Sequence, residues 1–232
     1  MSGLPNGWQV TIVRQVAQSL TLNSNGTDKF SNGLTNIEMQ GNNLQSITLS
    51  KLGEYWVITN KTDDCIIGQD CWTADNSSGM KSIYIGNING HQYFTTPGGC
   101  TNSITPTCAE GNDTVQLAWA TDAPESTTDI NLYNYHDGES QTAILAATET
   151  GNAAKFCENM LYAGFDDWYL PATAELELIF QNRASITGIV NDSYVVSNQC
   201  NATSSWRYFF QAASMNCTSK STLLFVRCVR KF

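Results

Sequence analysis

Asn152-Ala-Ala-Lys-Phe-Cys-Glu-Asn-Met-Leu-Tyr-Ala-Gly-Phe-Asp-Asp-Trp-Tyr-Leu-Pro-Ala-Thr-Ala-Glu-Leu176 holds two helix signals with a turn between them. Asn152 stands where an N-cap belongs, and Ala153, Phe156, Cys157, Met160 and Leu161 recur at helical spacing up to Gly164. A second helix is expected after Pro171, with Glu175 at the capping-box position and Leu176, Ile179 and Phe180 on one stripe.

Outside this stretch the pattern is that of strands. Upstream, Trp8 to Arg14, Ser19 to Leu22, Ile37 to Met39, Ser46 to Ser50 and Tyr55 to Thr59 alternate apolar and polar residues, with Asn-Gly and Gly-Asn turns between them. Residues 60–139 are rich in Gly, Pro, Asn and Asp, and only short apolar runs at Ser82–Ile85, Tyr93–Phe94 and Val115–Trp119 suggest strands. Downstream, Ser193–Ser197, Trp206–Phe210 and Leu223–Val229 return to β character. The expectation is an α+β, β-rich chain with a small all-β module over residues 1–62 and a disulfide-stapled domain with two short helices over residues 63–232.

Composition narrows the function. Of 232 residues 41% are apolar, enough for real cores, while only 14% are charged and the formal net charge is −9. An acidic chain with twelve scattered basic residues is a poor phosphate tracker, so nucleic acid is not an expected partner. The one basic cluster, Arg227, Arg230 and Lys231, is expected to be solvated or locally ion-paired. No apolar run reaches the ~20 residues of a membrane span. Met1 to Trp8 offers neither a basic segment nor an apolar stretch of signal length, which suits a virion component oxidised after lysis, or a chain whose leader has been removed.

Eight cysteines, Cys65, Cys71, Cys100, Cys108, Cys157, Cys200, Cys217 and Cys228, none in a CxxC pair and accompanied by only two histidines, read as a disulfide framework rather than a zinc site. Many connectivities are open. Proximity favours Cys65 with Cys71 and Cys100 with Cys108, leaving Cys157 with Cys228 and Cys200 with Cys217 as the expectation for the rest. Each bridge is worth about 2–4 kcal/mol. Such bonds imply an oxidising setting.

At this point the opening stretch resembles a known family pattern, a Cys-bearing helix followed by Gly-aromatic-x-Asp-Trp-Arg-Leu-Pro-Thr-x-x-Glu-Leu, and Val226-Arg-Cys-Val-Arg230 resembles its closing motif. The family is the C-terminal domain of collagen-like adhesins, of C-type-lectin-like architecture, and the likeness spans about residues 64–232. Tyr169 stands in place of the usual Arg, Ala172 in place of a capping Thr, and Tyr194-Val-Val-Ser in place of Tyr-Trp-Ser-Ser. Sulfated-glycan binding by the adhesins implies a basic surface, which this acidic chain lacks. More loosely, Leu4 to Val13 and Gly53 to Ile58 are similar to a small β module of phage tail-fibre proteins.

No Ser/His/Asp arrangement, phosphate loop or dinucleotide fingerprint surrounds His91 or His136, and Glu175 and Glu177 face apart on a helix. No catalytic residues and no enzyme are expected. Trp168, Leu170 and Pro171 read as scaffold. The binding candidates are Asn198, Asn201, Trp206, Arg207, Tyr208, Asn216 and Lys220, which combine amide donors, cations and aromatic faces suited to a sugar. Calcium is a possible ligand of Asp63-Asp64, Asp129 with Asn131, Asp166-Asp167 or Asn191-Asp192, although none forms a defined calcium loop; otherwise no cofactor or metal is expected.

The resemblance and composition together imply a virion receptor-binding protein at a tail-fibre tip. It would recognise a host-surface glycan or protein, contact other virion proteins through its N-terminal module, and form a homotrimer. A structural virion part, such as a capsid decoration or tail-tip component, and a secreted bacterial adhesin are the other two expectations.

Overall fold

The computed structural model describes residues 5–14, 20–23, 29–30, 36–39, 45–63, 67–68, 82–122, 126–148 and 151–232. Within the N-terminal part, β1 (Gln9–Arg14), β5 (Gln45–Leu52), β6 (Tyr55–Asp63) and β3 (Lys29–Phe30) form one sheet in the order β1-β5-β6-β3. β2 (Leu20–Asn23) and β4 (Asn36–Met39) form a separate antiparallel pair. Alternation along β5 turns Ile47, Leu49 and Lys51 inward, where the Lys51 ammonium lies 5.4 Å from the Trp56 ring centroid.

The remainder is α+β and β-rich. β7 (Ile83–Ile88), β8 (His91–Thr95) and β14 (Val229–Lys231) make a three-stranded sheet. A five-stranded sheet runs β12 (Ser214–Ser219), β11 (Ser204–Phe209), β10 (Ser193–Asn201), β13 (Leu224–Phe225) and β9 (Gln116–Leu117). β10 is buried on both faces: Val195 joins one core with Trp119, Leu145, Phe156, Trp168 and Val226, whereas Tyr194 and Val196 join a second with Ile85, Leu176, Ile179, Phe210 and Val229. This explains why Tyr194-Val-Val reads as an unbroken apolar run.

Three helices are described, not two. α1 (Gly138–Thr148) escapes the apolar pattern because its buried stripe, Gly138, Gln141, Thr142, Leu145 and Ala146, is partly polar. Thr142 Oγ1 donates to the Leu170 carbonyl at 3.2 Å and accepts from Leu170 N at 2.9 Å, so the polar stripe is satisfied inside. Gly138 has to be glycine, since a Cβ there would stand 2.4 Å from Glu175 Oε2.

α2 (Ala153–Glu158) is shorter than the expected helix to Gly164. Ala163 takes φ 55° and Tyr162 pairs with Phe165, so Met160 is buried while Leu161 is 64% exposed. Asn152 caps as expected, accepting from Lys155 N at 2.8 Å, and its Nδ2 donates to the Leu145 carbonyl near the end of α1.

α3 (Thr173–Asn182) starts at Ala172, which has no side-chain oxygen to cap with. Its first-turn donors are met otherwise: Asn198 Oδ1 on β10 accepts from Thr173 N at 2.8 Å, and Glu175 Oε2 accepts from Ala172 N at 2.7 Å. The expected single tail strand at Leu223–Val229 is divided between β13 and β14 in two sheets, with Arg227 and Cys228 buried between them.

Three disulfides lie among the described residues: Cys100–Cys108, Cys157–Cys228 and Cys200–Cys217. Cys65 and Cys71 fall outside the described residues, as does Asp64.

Candidate binding surface

The two motifs at residues 164–176 and 226–230 are bonded to each other. Arg230 makes a bidentate pair with Asp167 (Nε to Oδ1 2.7 Å, Nη2 to Oδ2 2.8 Å) while its guanidinium lies 3.6 Å from the Phe165 ring centroid. Cys228 is bridged to Cys157 on α2, and Val229 exchanges backbone bonds with Tyr169. Arg227 Nη1 reaches Asp113 Oδ1 at 3.0 Å in the interior, and Asp113 Oδ2 accepts from the Tyr194 hydroxyl at 2.7 Å. Lys231 Nζ pairs with Glu139 at 2.7 Å. All three cations of the C-terminal cluster are thus ion-paired within the chain, and the motif residues frame the domain.

Two carboxyls within the frame are perturbed. Burial pushes Glu175 above its ordinary value, against the hydrogen bonds it accepts from Ala172, Tyr169 and Gly138. Burial likewise raises Asp113, more than Arg227 and Tyr194 lower it. Asp113 stays the carboxylate partner of Arg227, whereas Glu175, raised with no cation bonded to it among the described residues, holds its proton more tightly in the folded chain than in the unfolded one. Its stabilising contribution is therefore full below the unfolded value and is lost as pH rises through the folded one. The melting temperature is expected to rise as pH falls from neutral towards about 5, before the exposed carboxylates protonate. Calorimetry across that range should show a smaller rise in Glu175→Gln.

The seven residues expected to bind a ligand separate. Tyr208 is 6% exposed in the second core, stacked near Phe180 and Phe210. Lys220 is 1% exposed, with its ammonium donating to the Thr128 carbonyl at 2.8 Å and lying 4.6 Å from the Trp119 ring centroid. Asn198 is fully buried, and every hydrogen-bonding site on its amide is used: Oδ1 accepts from Thr173 N and Oγ1, and Nδ2 donates to Asn134 O and Gln141 Oε1. These three belong to the scaffold, a correction to the expected contact set.

The other four do not share a face. The register of β12 sets Arg207 opposite Asn216 and Trp206 opposite Cys217. Neighbours along a strand point to opposite faces. Arg207 and Asn216 therefore lie on one side, while half-buried Trp206 packs with Tyr208 and Met215 on the other. Asn201 is exposed at the end of β10, accepting from Thr203 N at 3.0 Å.

What the sequence reading missed is the segment that Asn198 holds. Residues 126–137 run along the β10 end as a loop whose backbone is bolted to buried amides. Gln199 Oε1 accepts from Ile130 N at 2.9 Å, and Gln199 N donates to Leu132 O at 2.8 Å. Asn198 and Gln141 both donate to Asn134 O, and Ala174 N donates to Tyr135 O at 3.0 Å. Leu132 is buried beneath, while Tyr133 and Tyr135 are 39% and 44% exposed. The Tyr133 hydroxyl donates to Asp129, which also accepts from Asn131 N at 2.9 Å, and both bonds hold the Asp129 carboxyl below its ordinary value. Alternating Tyr and Asn in Asn131-Leu-Tyr-Asn-Tyr135 was the available signal.

An Asn198→Ala chain should lose about 2–3 kcal/mol in urea unfolding, because Thr173 N and Asn134 O lose partners in a buried place.

A cleft of about 530 Å³ lies between the loop closed by Cys100–Cys108 and α2. Ile104 at the loop tip, Leu117 and Phe156 give it apolar walls, and Asn102, Lys155 and Asn159 a polar edge. Lys155 is tied to Glu158 at 2.6 Å.

Among the described residues no group of three or more His, Cys, Asp or Glu is placed to hold a metal ion. Asp167 is engaged by Arg230 and Asp129 by Tyr133. No helix among those residues is long and apolar enough to cross a membrane.

The family model for the Lcl C-terminal domain matches residues 109–230, more than half of the chain. The chain belongs to this family. The Lcl C-terminal domain is adhesin-like rather than enzymatic, and the three disulfides, two of them within the matched residues and Cys100–Cys108 just before, are compatible with an extracellular or surface location. No curated protein matches the chain.

Proposed function

We propose that the chain is a receptor-binding adhesion protein of a virion, of the tail-fibre tip kind, which recognises a host-surface glycan or protein with no bond made or broken. In this reading residues 1–62 form an attachment module joined to other virion proteins, residues 63–232 form the binding head, and three copies assemble. The observation that carries it is the division of labour in the Lcl C-terminal domain: Cys157 is bridged to Cys228, Arg230 is paired with Asp167 and Arg227 is buried on Asp113, while the bolted loop at residues 126–137 turns polar and aromatic side chains outward. A rigid frame with outward loops suits recognition, since ordering costs at the interface are already met.

The test is retention of the purified chain on host polysaccharides and outer-membrane extracts, with light scattering for the assembly. Retention and a mass of three chains are expected. A chain retained by none of these surfaces would be a structural virion part instead.

A further inference from the structure

We infer that the outward side of residues 129–137 is a contact site for a neutral saccharide, with Tyr133 and Tyr135 as its stacking platforms. The inference rests on the adhesion reading above and names its site and ligand class.

Two rings two residues apart, each more than a third exposed, are held on a backbone tied to Asn198, Gln199 and Gln141. Tyr133 is further restrained through its hydroxyl to Asp129. An aromatic ring exposed to water on a fixed backbone offers large contact area at little entropic cost. The apolar CH face of a pyranose ring covers such a surface, and its hydroxyl rim needs donors and acceptors close by.

Those are present in the exposed Asn131, Asn134, Asp129 and Glu139. The local charge argues against an anionic sugar. Asp129, Asp137 and Glu139 line this stretch, the Lys231 ammonium is paired with Glu139, and the Lys220 ammonium lies under the loop on Thr128 O. A sulfate or phosphate would meet carboxylates without a cation to receive it. A protein partner is less well served, because the loop's large aliphatic residues, Leu132 and Ile130, are packed against the first core rather than offered as anchors.

The experiment is an array of neutral oligosaccharides built from hexoses and N-acetylhexosamines, printed beside sulfated glycans and immobilised extracellular proteins. It is probed with the full chain and with Tyr133→Ala, Tyr135→Ala, Tyr135→Phe and, on exposed β12, Asn216→Ala. Thermal melts check that each variant is folded. The expected result is retention on neutral glycans with little change on adding salt, a loss of about tenfold for each alanine variant, and near wild-type retention for Tyr135→Phe and Asn216→Ala.

Wild-type binding to neutral glycans that both alanine variants preserve would overturn the site and leave the adhesion reading standing. Retention only on sulfated glycans, falling with salt, or only on proteins would overturn the ligand class. Retention on nothing would overturn both readings.

Discussion

Replacing Arg227 by Ala should cost about 3–5 kcal/mol and leave the Lcl C-terminal domain largely unfolded at the temperature where the parent chain is stable. Arg227 is 1% exposed, and its guanidinium is the cation facing Asp113, which is itself 5% exposed. Without it the Asp113 carboxylate would keep only the Tyr194 hydroxyl, while Thr187 O would lose the Nη2 donor. An uncompensated charge in that interior is the dominant penalty, larger than the loss of the attraction itself. The same reasoning gives a sharper companion result. Arg227 Nε has no partner, so the pair is imperfectly satisfied. Removing both charges together, as Arg227→Met with Asp113→Leu, should therefore restore most of the stability lost by Arg227→Ala. Urea unfolding of the two singles and the double gives this coupling directly.

Replacing both Cys157 and Cys228 by Ser should destabilise by about 4 kcal/mol, against about 2–3 kcal/mol for the same change at Cys100 and Cys108. The difference comes from loop length, a sequence separation of 71 against 8. The Cys157–Cys228 bridge also fastens α2 to the segment between β13 and β14, so its loss releases the first core at two of its walls. Melting temperatures of the two serine pairs, measured side by side under non-reducing conditions, should fall in that order.

Much of the architecture was legible because it is written in local chemistry. The Asn152 cap, the Pro171 start with Glu175 at the third helical position, and the period-two runs of β1, β5 and β6 each follow from a residue's own hydrogen-bonding or steric preference. Cysteine proximity similarly suggested the Cys100–Cys108 pair, and the expectation for the remaining four, Cys157–Cys228 and Cys200–Cys217, matches the bridges found. What was not legible depends on tertiary partners. α1 hides because Gln141 and Thr142 are buried only where Asn198 and Leu170 meet them.

The candidate site failed in the sequence for the same reason, seen from the other side. Asn198 in β10, Tyr208 in β11 and Lys220 just after β12 are polar or amphipathic residues, and composition alone places such residues at a surface. Asn198 is instead drawn inside because Ala172 cannot cap α3 and a carbonyl at Asn134 needs a donor. The alternation of β11 then separates Trp206 from Arg207, which no reading of residue types in isolation could reveal. Tyr133 and Tyr135 lay in a stretch read only as turn-rich, and their significance comes from the amides fixing the backbone behind them.

Buried side chains of β10 and α1 hold the 126–137 loop in one arrangement before any ligand arrives. Native-state hydrogen exchange tests it at three amides, Ile130, Ala174 and Gln199, each of which bonds across to or from that loop. Protection of all three at the level of the β10 core is the predicted result, with protection at Ile130 lost selectively in Gln199→Ala. Exchange of the Ile130 and Gln199 amides at the rate of an unstructured peptide, while the β10 core stays protected, would contradict it.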